Sequence, residues 1–122
     1  MSKKKPTNAP TPKQIKEFAG YLKEYQVKMN LNNWRIEHSG KPAAPFSMSE
    51  VVLSSEDRLA IWSIGMDWGP LKIDSTILRA TALHEVLHVF FCAYREAVFD
   101  RDEDRAYAEE HSLVIVLEKL LT

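Results

Sequence analysis

The chain has 122 residues, 45% of them hydrophobic and 27% charged, with a formal net charge of −1. That is enough for one domain with a modest core. It is not the composition of a disordered, fibrous or membrane protein, and there is no basic excess to argue for nucleic acid as a partner. The single cysteine, Cys92, excludes an intramolecular disulfide and sits in an apolar run, where it reads as a small core hydrophobe.

Residues 1–11 hold three lysines, two prolines and no large apolar residue after Met1, so they read as a disordered tail, leaving 12–122 as the single domain. This basic start runs into Pro6 and Asn8, not into an apolar signal segment. No stretch reaches the eighteen or so unbroken apolar residues of a membrane span, so a cytoplasmic location is expected. Thr11 followed by Pro12 predicts an N-cap and first turn. Ile15, Phe18, Leu22, Tyr25 and Met29 then recur at helical spacing, carrying a helix to about Asn30.

Trp34 to His38 alternates apolar with polar as a half-buried strand does, and Ser39-Gly40-Lys41-Pro42 reads as a turn. A second short strand is expected around Glu50 to Ser54. A third, Arg58 to Met66, holds Leu59, Ile61, Trp62 and Ile64 and enters the Gly69-Pro70 turn. Trp34, Trp62 and Trp68 read as core anchors, and His38 as a surface residue beside its turn. Asp74 or Ser75 caps a long helix from Ile77 to Tyr94 with almost no polar face, which predicts a buried helix. The charged run Asp100 to Asp104 is a turn before a last helix with Ala106, Leu113, Val114, Leu117, Leu120 and Leu121 on its apolar face.

Within the long helix lies His84-Glu85-Val86-Leu87-His88, an H-E-x-x-H pattern. Residues four apart sit one turn apart on the same face, so two imidazoles can converge on one tetrahedral zinc ion. Glu85 beside them can take a proton from metal-bound water, whose pKa falls from about 15.7 toward roughly 7. An unpaired buried carboxylate in an apolar helix would otherwise cost several kcal/mol.

A catalytic zinc site needs a third protein ligand, and Glu109, Glu110 and His111 cluster at the start of the last helix. At 100° per residue the apolar face of that helix centres roughly 25° from Glu110 and 75° from Glu109, with His111 turned outward. An antiparallel hairpin runs about 18 Å from His88 to the turn and about 15 Å back to Glu110, which brings the two level. Glu110 is therefore the expected third ligand. Tyr94, Tyr107 and His111 stay open as oxyanion donors.

These residues resemble the gluzincin zinc metallopeptidases: the H-E-x-x-H helix followed some twenty residues on by Glu110. Over Leu59 to Leu121 the chain is similar to the minigluzincins and to ImmA-like phage-type putative metallopeptidases. The resemblance implies an α+β reduced zincin fold. Its parts would be a small, mainly antiparallel three-stranded sheet on the active-site helix, an N-terminal helix, and a C-terminal helix bearing the glutamate. It implies one catalytic Zn2+ held by His84, His88 and Glu110, with Glu85 as the catalytic base. The reaction would be hydrolysis of peptide bonds in an intracellular, phage- or prophage-related protein target, with a regulatory protein as a candidate partner. A substrate strand would pair with the sheet's edge, expected at Arg58 to Met66. Val114 stands where thermolysin-type gluzincins carry an aspartate that orients the first histidine, and little chain follows Leu121. The competing expectations are a binding or regulatory module of zincin shape with structural or absent zinc, and a zinc hydrolase acting on a non-peptide bond.

Overall fold

The structure, a computed structural model, describes residues 8–99 and 110–116 and the single positions 108 and 119. It is an α+β chain in the order α1 (Pro12–Lys28), β1 (Arg35–His38), β2 (Ser49–Ser54), β3 (Leu59–Ile64), α2 (Ser75–Phe99), with a further helical stretch at 110–116.

Local chemistry sets the ends of both long helices. Thr11 caps α1 in a full capping box: its hydroxyl accepts from the Gln14 N–H and the Gln14 side chain accepts from the Thr11 N–H. The same Gln14 amide donates to the Ile73 carbonyl at 2.9 Å, tying the start of α1 to the lead-in of α2. At the far end, Asn30 takes a left-handed conformation, φ 59°, which asparagine tolerates better than most residues. For α2 the capping residue is Asp74, whose side chain accepts from the Ile77 N–H and whose carbonyl accepts from the Leu78 N–H.

The sheet is mixed, not mainly antiparallel. Its order is β1-β3-β2, with β1 parallel to β3 and β2 antiparallel to it. After β1 the chain crosses to the far side before laying down β2, and β3 then returns through a four-residue turn into the gap between them. Leu59–Ile64 is thus the central strand, and the free edges belong to β1 and β2. A substrate strand could therefore pair with β2 but not with the segment expected at Arg58 to Met66. Alternation could not reveal this: β3 buries Ala60, Trp62 and Ile64 on one face, the same pattern an edge strand would show.

The core lies where this face meets the two helices. Phe18, Leu22, Tyr25 and Met29 from α1 and Leu78, Ala82, Val86, Val89, Phe90 and Ala93 from α2 pack against Trp62 and Ile64. The Phe18 and Trp62 rings stand 5.4 Å apart. Burying a side chain such as Phe18 contributes about 1.5–3 kcal/mol. By contrast the Glu24–Arg79 ion pair joining α1 to α2 is exposed to solvent, which screens it, and adds little beside this burial. Trp34 and Trp68 are also buried, as expected from sequence, and Cys92 is half-buried against the core. Burial pushes the Cys92 thiol up, the opposite of what a nucleophile needs.

Two expectations meet a different outcome. Residues 8–11 are tied down: Trp68 donates to the Asn8 carbonyl at 2.9 Å, the Asn8 amide reaches the Gly69 carbonyl at 3.1 Å, and Pro10 is buried. And α2 is not buried all round. By length and composition alone it would pass for a membrane span, yet it packs one face on α1 and the sheet while Ala80, His84, His88, Phe91 and Arg95 are exposed. The charged run 100–104, Tyr107 and Glu109 lie outside the described residues.

Candidate metal centre

His84 and His88 follow each other by one turn on the exposed face of α2, and their Nε2 atoms stand 3.1 Å apart. Two ligands at about 2.0–2.1 Å from one zinc ion with a near-tetrahedral angle would be about 3.1–3.4 Å apart. The rings meet edge to face, with centroids at 4.7 Å. Glu85 lies beside them on the inward side, 4% exposed, with its Oε1 3.8 Å from His84 Nε2. One donor atom from each of the three falls within 4.8 Å of the others.

Glu85 belongs to the core by position and to the surface by charge. Burial pushes its carboxyl above the usual range, while the imidazoles of His84 and His88 and the Ser49 hydroxyl pull it back and Glu50 adds to the rise. Its Oε2 is buried and has no hydrogen-bond partner among the described residues, which costs about 1–3 kcal/mol. A cation seated on the two imidazoles would offset this orphaned oxygen. Two convergent imidazoles, a neighbouring carboxylate and open space above them are a donor set that suits zinc.

The site opens into a groove of about 410 Å³ between α2 and the start of β2, lined by Phe46, Met48, Ser49, Ala80, Thr81, His84 and Glu85. Phe46 is fully exposed and held at φ 70°. Sequence reasoning singled out neither Ser49 nor Phe46. Both come to the site through the strand crossing, which no local spacing announces.

Glu110 is not brought to the histidine pair. It is exposed, and the donor group among the described residues is His84, Glu85 and His88. The helical stretch that carries Glu110 packs elsewhere, with Val116 buried in the core. Ala108 and Ser112 share a cleft with the 30–34 loop and with Ala93, which falls about 180° around α2 from His84. His111 lies along the same side, near Val27 and Lys28, and Tyr94 is half-buried. The chain matches no known family model, no characterised protein and no solved structure.

Proposed function

We propose that this protein is a zinc-dependent peptidase, with His84 and His88 as metal ligands and Glu85 as the base. The observation that carries the reading is the 3.1 Å convergence of the two Nε2 atoms above a buried, half-unpartnered carboxylate. Zinc bound there would supply Lewis acidity, polarising a water molecule and a carbonyl oxygen. The imidazoles fix the cation on one side, and α2 beneath them keeps Glu85 from swinging away. A carboxyl whose proton affinity is raised by burial is suited to accept a proton at Oε1 and deliver it to a leaving amine. The free edge of β2 offers backbone groups to an extended peptide chain running past the groove.

The third ligand is the open element of this reading. Glu110 remains the candidate from sequence, and elemental analysis tests it: zinc lost in Glu110→Ala but kept in Glu109→Ala assigns it. The test of the function is Glu85→Gln, which should keep stoichiometric zinc and lower cleavage of an unfolded protein by about 10²–10⁴-fold. Unchanged cleavage would sink the assignment.

The absence of Glu110 from the donor group among the described residues favours one second reading, a binding or regulatory module whose two exposed histidines hold metal weakly or not at all. Under it, chelation leaves every protein-binding property unchanged and no peptide is cut at any zinc concentration.

A further inference from the structure

On the side of α2 away from the histidine pair, a cleft of about 320 Å³ opens between the Asn30–Trp34 loop, the turn before β3, Ala93 and Ser112. Its wall is rich in donors. Arg58 is half-buried there, and its guanidinium takes part in none of the ion pairs or side-chain hydrogen bonds of the described residues. Asn30 and Asn33 add amides and Ser112 a hydroxyl, while no acidic side chain among the described residues lines the cleft. Trp34, 2% exposed, forms part of the same wall, and its indole N–H, buried behind that wall and able only to donate, has no acceptor among the described residues.

The backbone around this cleft is set in advance. The buried Gln26 amide donates to the carbonyls of Leu31 at 3.0 Å and Trp34 at 2.8 Å, so two of the loop's own acceptors are already engaged from behind. Asn30 and Arg58 both hold positive φ, 59° and 48°, so two of the residues lining the cleft are fixed in a conformation few side chains adopt. Among the described residues the guanidinium and the Asn30 and Asn33 amides have no side-chain acceptor, so the groups that a ligand in the cleft would meet are donors, one of them positively charged.

We propose that this cleft binds an oxyanion, the carboxylate or phosphate group of a small ligand, with Arg58 as its charged anchor. The planar fork of an arginine matches either group through two parallel N–H donors. The proposal is independent of the zinc chemistry on the other side of α2.

The indole resonances of the uniformly 15N-labelled chain read it out. Trp34→Phe identifies the Trp34 signal by its loss, and Trp68, whose indole donates to the Gly65 carbonyl at 2.9 Å, is the internal control. The protein is titrated separately with inorganic phosphate and with succinate at constant ionic strength set by chloride. The expected result is a saturable shift of the Trp34 signal, with Trp68 unmoved, and an affinity at least about tenfold weaker in Arg58→Gln. Response to phosphate alone assigns a phosphoryl ligand, and response to succinate alone a carboxylate. No saturable shift of the parent protein with either anion overturns the proposal without recourse to any variant, as does an Arg58→Gln chain that titrates like the parent.

Discussion

Glu85 carries two opposed demands, burial by the helix face it occupies and ionisation by the chemistry proposed for it. Because burial raises its proton affinity in the fold, both folded and unfolded chains hold the proton at low pH and nothing is lost there. As pH rises through the ordinary carboxylate range the unfolded chain ionises first, and the metal-free fold loses stability until Glu85 ionises in turn. Metal-free Glu85→Gln should therefore be more stable than the parent at neutral pH. The difference should close below pH ~4, as thermal unfolding at the two pH values would show. The histidine pair and this glutamate were legible in the sequence because their geometry is local, since one helical turn decides it. Glu110 was not. The angular argument turned it toward the apolar face of its own helix, yet Glu110 and Val114 are exposed and it is Val116 and Leu113 that face the core.

At the scale of elements, the close approach of the 46–48 segment to the end of β3 positions the groove. Gly65 donates to the Met48 carbonyl at 2.7 Å, and a Cβ there would lie 1.9 Å from the Ser47 carbonyl oxygen. Gly65→Ala should thus destabilise the fold by about 1–3 kcal/mol or more, measured by chemical denaturation, because backbone must yield rather than a side chain. Gln26→Leu should cost about 1–3 kcal/mol by stranding the Trp34 carbonyl, the Leu31 carbonyl keeping the Trp34 N–H. It should also broaden the Trp34 indole signal. Helix ends and strand positions were readable from caps and alternation, as Thr11 and the alternating Trp34 to His38, which forms Arg35–His38, illustrate. Strand order was not, because β3 pairs on both sides through contacts that span the 39–48 crossing.

For the whole molecule, a cation bound only by the folded state adds to its stability by mass action. Zinc at about a hundred times its dissociation constant should add about 2.7 kcal/mol, raising Tm by several degrees. The rise should survive in Glu85→Gln and vanish in His84→Ala and His88→Ala. A parent chain whose Tm ignores zinc would remove the metal centre altogether. The same outward placement of the two imidazoles has a practical corollary at the bench. Exposed rings one turn apart act as a short built-in chelating tag, so the untagged protein should be retained on immobilised nickel resin and released by free imidazole.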